Sequence, residues 1–511
     1  MSENFFFLLA DAFARHPDRP ALILEDGSEL SYSVLDGMSA RFAALLGTLG
    51  VGAGDRVLVQ TDKSAEAVGL YLGCLRHGAV YVPINTAYTA EEVGYFLTDA
   101  EPGLFVCRVA DEAAYSTLVE NRCPGTRVRS LGAAGDGSLL TDLADLGEVG
   151  RIPTAPRAAG DIAAILYTSG TTGRSKGAML SHGNLAVSAV VLVDYWGWQN
   201  DDVLLHALPI FHVHGLFVAL HCALLTATPM IFLRAFDPGA VLRALPRATV
   251  MMGVPTFYTR LLASNDLDRA RCAAMRLFIS GSAPLTAQTF EAWEARTGHR
   301  ILERYGMSET MMNTSNPLAG ERIAGTVGFP LPGVRLRIAD EAGVPVAPGE
   351  VGVIEVKGPN VFSGYWRMPE KTAQEFREDG FFITGDQAVM DTEGRVSIVG
   401  REKDMVITGG YNVYPKELEA LIDEMPQVVE SAVIGVPHPD FGEGVVAVVV
   451  PVGAAVTAAD VDAALAGRLA RFKQPKAVVN VEALPRNAMG KVQKSQLRAD
   501  HGGLFSGAPS A

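Results

Sequence analysis

Residues Tyr167–Gly177 read YTSGTTGRSKG, directly behind the apolar run AAIL. A buried strand that opens into glycines and hydroxyls is built to meet an oxyanion. Gly170 and Gly173 let the backbone bring its N–H groups close to phosphate oxygens. Thr168, Ser169, Thr171 and Thr172 add hydroxyl donors, and Lys176 adds a cation. A flexible linker of similar composition rarely follows a buried strand. The GxxxxGK[ST] spacing of nucleoside-triphosphatase loops is absent, as is the GxGxxG of dinucleotide sites.

Outward from this loop the chain alternates strands and helices. Upstream, DRVLVQTD and GAVYVPIN read as strands flanking a helix, SAEAVGLYLGCLRHG, that Gly78 closes. This βαβ unit predicts a parallel sheet. Downstream the same alternation recurs: a helix from about Asn184, then MIFL, TVMMGVP and LFISGSAPL, each followed by a helix. Gly215–Leu233, GLFVALHCALLTATPMIFL, has the length of a membrane span. Pro229 and the polar residues His221, Thr226 and Thr228 instead predict a buried helix, a turn at Ala227–Pro229 and a short strand. Past Pro330 the strands VRLRIAD, GVIEVKG and VSIVG follow one another closely, as in an antiparallel barrel or meander. After Arg401 helices return among strands.

The expected fold is α/β: doubly wound lobes and a small β-barrel lobe in a large N-terminal domain (1–402), an α+β lid (403–500), and a disordered tail (501–511). The 511 residues, 48% apolar and 20% charged, suit about three domains with a large core. Forty-three basic against 57 acidic residues leave a net charge of −14, which argues against nucleic acid or an anionic membrane as partner. Five scattered cysteines fit neither a disulfide framework nor a zinc site. They fit reduced thiols in the cytoplasm. The N-terminus lacks a secretory pattern.

YTSGTTGRSKG resembles the signature loop of the adenylate-forming superfamily, which includes acyl-CoA synthetases and the adenylation domains of peptide synthetases. Further motifs follow in that superfamily's order. The resemblance implies a carboxylate that attacks the α-phosphorus of ATP with Mg²⁺, giving acyl-adenylate and pyrophosphate, and then a thiol, CoA, that displaces AMP. It implies roles residue by residue. In ERYGMSET, Glu303, Arg304 and Tyr305 wall the adenine and Glu309 holds Mg²⁺; Ser308 stands where the superfamily usually has threonine. In ISGSAPL, Ser282 and Ala283 border the nucleotide and Ser280, with Met307, the acid. Asp386 and Arg401 hold the ribose, Lys403 is the hinge, Gly409 and Gly410 line the CoA path, and Lys491 of LPRNAMGKVQK is the catalytic lysine. Lys494 competes with it and lacks the preceding glycine.

The acid is read from GVPTFYTRLL. There Phe257, Arg260 and Leu261 fall on one helical face. An arginine on an apolar face needs a partner: the second carboxylate of a dicarboxylate substrate, or a protein acid such as Asp266. His212 and His214 border the same region, as donors to the acyl group or as core histidines. The motif set as a whole resembles malonyl-CoA synthetases, a family within the superfamily, which implies malonate and methylmalonate as substrates. The alternatives are a short-chain monocarboxylate synthetase, a stand-alone enzyme loading a carrier protein, or a non-catalytic nucleotide binder. Monomer and homodimer stay open.

Overall fold

The computed structural model describes residues 3–150, 152–168, 175–408, 411–466, 468–469, 471–487 and 490–505. Strong local signals fix the first βαβ unit. Ser64 caps the helix Ala65–His77 by accepting from the Ala67 amide, and Gly78 ends it at φ +79°, where a Cβ would strike Arg157. The flanking strands Arg56–Gln60 and Val80–Pro83 pair in parallel.

Among the described residues the strands form four sheets. The first runs Arg127–Ser130, Leu104–Cys107, Arg56–Gln60, Val80–Pro83, Ile162–Thr168, Lys176–Ser181. All its pairings are parallel except the last, Ile162–Thr168 with Lys176–Ser181. The glycine-rich segment therefore joins the arms of a hairpin. Sequence patterning missed the second arm; the helix expected from about Asn184 runs His182–Tyr195, with Ser181 as its cap. The second sheet has a parallel centre built from Leu302–Met307, Leu277–Ser280, Val250–Gly253, Leu204–His206, Met230–Phe232 and Pro20–Ile23. Antiparallel strands close both its edges.

The strands Arg335–Ala339, Gly352–Lys357, Phe382–Met390 and Val396–Arg401 make an antiparallel meander in that order. Its hydrogen-bonded path is open, so the expected barrel is an open sheet. The fourth sheet lies after Met405 and has its own apolar core around Val433, Val445, Leu418 and Ile422. The helix Lys494–His501 includes the residue at which the tail was expected, and Phe505 lies 4.8 Å from the His438 ring.

Gly215–Leu233 is resolved as expected. A π-helical turn His214–Leu220 leads into Ala227 at φ +49° and then a buried strand, Met230–Phe232. No described helix is long and apolar enough to cross a membrane. Cys74, Cys107, Cys222 and Cys272 are buried and Cys123 is half-buried, all as free thiols.

Candidate active site

The strand Leu302–Met307 organises the site, because its side chains alternate between two faces. Tyr305 takes one face. Its hydroxyl donates to Asp386 Oδ2 at 2.6 Å, and Arg401 Nε pairs with Asp386 Oδ1 at 2.7 Å. Asp386 and Arg401 stand opposite each other in antiparallel register, so the meander itself aligns this pair. Glu303 is also buried. Its Oε1 accepts from the Leu285 amide at 3.2 Å, while Oε2 has no partner. Burial raises its carboxyl to about 7.

Glu309, 5% exposed, ends the loop after this strand. It accepts from Thr168 Oγ1 at 3.3 Å and lies 3.1 Å from the Tyr365 hydroxyl. That hydroxyl is also 2.6 Å from Glu375 Oε2. Lys176 Nζ, expected to face phosphate, pairs with Glu375 Oε1 at 2.9 Å and stands 4.1 Å above the Tyr365 ring. Ser169, Gly170, Thr171, Thr172 and Gly173 lie outside the described residues, between Thr168 and Lys176 on the hairpin arms. Burial raises the Glu309 carboxyl, so a cation there would be welcome. One buried carboxylate and a hydroxyl are hard oxygen donors. Among the described residues no cluster of three or more ligating side chains surrounds them. This donor set fits Mg²⁺, which takes few ligands from protein and the rest from phosphate and water.

The other face of the strand carries Arg304. Its guanidinium packs against Gly281, where a Cβ would lie 2.4 Å from Cζ and Nη1. Ser280 is buried with its Oγ unpartnered. Ser282 holds φ +72°, and its Oγ is 3.1 Å from His214 Nδ1. Among the described residues His214 Nε2 and His212 Nδ1 have no hydrogen-bond partner. Burial keeps both imidazoles neutral: His212 falls to about 3, with Lys491 and Arg304 assisting, and His214 falls well below its ordinary value. Ala283 and Met307 are half-buried at this rim.

Arg260 departs from expectation. In the helix Pro255–Leu262, Tyr258 and Leu261 point inward and Phe257 stacks on Phe236 at 3.8 Å, while Arg260 is exposed. The helix is rotated from the phase assumed in the sequence, so burial no longer argues for an Arg260 partner. Asp266 does not pair with it either. Among the described residues Arg260 has no hydrogen-bond or ion-pair partner, on the helix whose first turn meets the lid. Gly490, at φ +73°, is close enough to Thr256 that a Cβ would stand 3.3 Å from its Oγ1.

Beside Gly490, Lys491 enters the cleft. Desolvation, with Arg401 nearby, lowers its ammonium to about 8 against the opposing pull of Asp386 and Glu309. Lys494 is held inside the lid by Glu419 at 2.6 Å. Lys403 is exposed on the turn Glu402–Asp404, and Gly409 and Gly410 lie outside the described residues. Sequence reasoning missed Tyr365 and Glu375. Tyr365 carries no motif of its own, and Glu375 sits in a charged stretch that reads as a solvated helix.

The AMP-binding enzyme family model matches residues 9–366, and the AMP-binding enzyme C-terminal domain matches residues 417–491. A malonate–CoA ligase of Arabidopsis thaliana is 34% identical over 477 residues, covering 87% of this chain and 78% of the relative. A feruloyl-CoA synthase of Amycolatopsis is 35% identical over 495 residues, covering 96% and 97%. The crystal structure of ATP-bound MatB from Rhodopseudomonas palustris superposes with a TM-score of 0.96 at 55% identity, over 99% of this chain and all of that one.

Proposed function

The chain belongs to the AMP-binding enzyme family, and from that premise we propose that it is an ATP-dependent acid–thiol ligase. It converts malonate, and methylmalonate, to the CoA thioester through an acyl-adenylate, releasing AMP and pyrophosphate. The relatives named malonate–CoA ligase support the acid, and the likeness to an ATP-bound structure supports the nucleotide. A feruloyl-CoA synthase at equal identity means that overall similarity does not choose the acid. The observation that carries the choice is the pair of cations, Lys491 and Arg304, beside the neutral His212 and His214. A monocarboxylate would leave one of those charges unanswered.

In this reading Tyr305, Asp386 and Arg401 seat the ribose, with Ser282, Ala283 and Glu303 beside the adenine. Thr168, the loop Ser169–Gly173 and Lys176 receive the phosphates, for which Lys176 leaves Glu375. Glu309 and Thr168 would hold Mg²⁺, which when bound offsets phosphate charge. The reacting carboxylate attacks the α-phosphorus and pyrophosphate departs. Lys491 stabilises the charge that builds on both groups. His214, Ser280 and Met307 border the acyl chain, and Arg260 reaches the second carboxylate from the open side. The lid then turns about Lys403, withdrawing Lys491 and opening a thiol path by Gly409 and Gly410.

The test is AMP formation with ATP and CoA across malonate, methylmalonate, succinate, acetate and octanoate. Malonate should lead by orders of magnitude and require CoA. A monocarboxylate in the lead would retain the ligase and remove the dicarboxylate. Turnover only with a carrier protein would point to a loading enzyme.

A further inference from the structure

Lys63 lies between the strand Arg56–Gln60 and Ser64, which caps the helix Ala65–His77. It is 7% exposed. Among the described residues no carboxylate lies within ion-pair distance of it; Glu25 acts on it only from farther away. Its Nζ reaches across to the second sheet. There it donates to His206 Nδ1 and to the His206 carbonyl oxygen, both at 2.8 Å, and stands 4.2 Å above the Phe232 ring. His206 and Phe232 are register partners at the ends of neighbouring parallel strands. The lysine therefore closes on the carboxyl end of that sheet, where α/β proteins place their ligand sites. A buried lysine without an acid beside it is a stability cost. A methionine of similar length would pack on Phe232 without that cost. Only the hydrogens on Nζ distinguish the two.

Those hydrogens fix an imidazole. His206 Nε2 lies 2.9 Å from the Gly215 carbonyl oxygen, which can only accept, so Nε2 carries the proton. Burial and Lys63 keep the ring neutral, and Nδ1 is then an acceptor that Lys63 meets. Protonated or not, the lysine nitrogen has the two hydrogens these contacts use. Gly215 is the second residue of the π-helical turn His214–Leu220, and His214 Nδ1 lies 3.1 Å from Ser282 Oγ. One line of hydrogen bonds thus runs from the lobe of the first sheet, through Lys63 and His206, to the backbone that seats His214. We propose that Lys63 is a positioning residue for the acid: it holds the His206 imidazole in one tautomer and orientation, and so holds the Gly215 carbonyl and His214 at the acyl pocket. This rests on the reading that places His214 beside the acyl group, whichever acid that is.

The experiment compares wild type, Lys63→Met, His206→Gln and the double variant. For each it measures KM and kcat for the best acid, KM for ATP, and the melting temperature. In Lys63→Met the acid KM should rise at least about tenfold, because the seat of His214 is no longer held. Its ATP KM should change by less than about twofold. Its melting temperature should not fall, since a buried unpaired lysine has been removed. A glutamine at 206 brings its own amide donor for Gly215, so adding Lys63→Met to His206→Gln should cost less than about threefold more. Spectra of protein carrying ¹⁵N-histidine, with His206 identified by its loss in His206→Gln, should show Nδ1 unprotonated in wild type and shifted away from its hydrogen-bonded position in Lys63→Met. An unchanged acid KM overturns the proposal, as does a protonated Nδ1 in wild type. Acid and ATP KM rising together with a lowered melting temperature would mark a structural lysine and overturn it as well. Should Lys63→Met fail to fold, Lys63→Gln carries the same measurements. Should wild type prefer a monocarboxylate, the dicarboxylate reading falls and this inference stands, because it concerns the seat of the acid and not its second charge. Should wild type form no acyl-adenylate with any acid, the ligase reading falls, and this inference with it.

Discussion

In the proposed reaction Lys491 acts as an ammonium, yet its surroundings favour losing the proton. Desolvation and Arg401 lower it to about 8, so the charged form dominates below that pH and is lost above it. The kcat/KM of adenylation, which reports the free enzyme, should therefore fall as pH rises through about 8. ATP and the acid bring negative charge, so the matching limb in kcat should lie at higher pH. Lys491→Arg should show a lower plateau without the alkaline limb, and a stopped pyrophosphate assay from pH 6 to 10 reads both. The sequence points to Lys491 through the glycine before it, in a segment that resembles the family's own. Lys494 differs only in what holds it, the Glu419 carboxylate, and that contact is invisible in the sequence. The apolar face assigned to Arg260 depended on helix phase, and a change of one position in the inward face turned Arg260 to water and Tyr258 to the core.

Among the elements, the π-helical turn His214–Leu220 shows most clearly how backbone packing shapes the site. His214 opens it, and Gly215 packs so closely that a Cβ would lie 2.0 Å from the Pro209 carbonyl oxygen. The Gly215 carbonyl in turn lies 2.9 Å from His206 Nε2. Gly215→Ala must push these segments apart. It should cost about 1–3 kcal/mol in urea unfolding, as overpacking does. It should also lower malonate turnover at saturating ATP, because the seat of His214 moves. A turn that kept both stability and turnover would mean the backbone relaxes freely there. Apolar runs bounded by Gly and Pro made the elements of this region readable, down to the turn at Ala227–Pro229. The strand Lys176–Ser181 was not readable. Its six residues follow a glycine-rich loop and lack the alternation of a half-buried strand, and only pairing with Ile162–Thr168 defines it.

Across the whole molecule, Gly490 against Thr256 puts the lid loop beside the helix Pro255–Leu262, and in the proposed reaction Lys491 then serves the first half-reaction. Thioester formation requires the lysine to leave, so the two half-reactions should depend differently on the turn Glu402–Asp404. Lys403→Pro fixes one backbone dihedral at that turn. It should slow conversion of supplied malonyl-AMP to the thioester at least about tenfold more than it slows adenylate formation, measured in single-turnover assays. Equal slowing of both would place the hinge elsewhere. The order of lobes along the chain was legible because β–α alternation gives way to closely spaced strands. The openness of the meander was not, since barrel and meander share that spacing and differ only in which edges pair.

The burial of the cysteines acquires a redox meaning in an enzyme whose second substrate is itself a thiol. Oxidised coenzyme, a disulfide, exchanges only with an accessible thiolate. Burial pushes Cys272 up to about 11 and Cys107 up to about 12, and raises Cys74 and Cys222 further. Four of the five thiols are thereby protonated and enclosed, and only half-buried Cys123 is within reach. Native protein incubated with CoA disulfide should gain a single adduct mass, at Cys123, and keep its turnover. Denatured protein should gain several. The fold thus insulates the enzyme from mixed-disulfide inactivation by its own substrate pool.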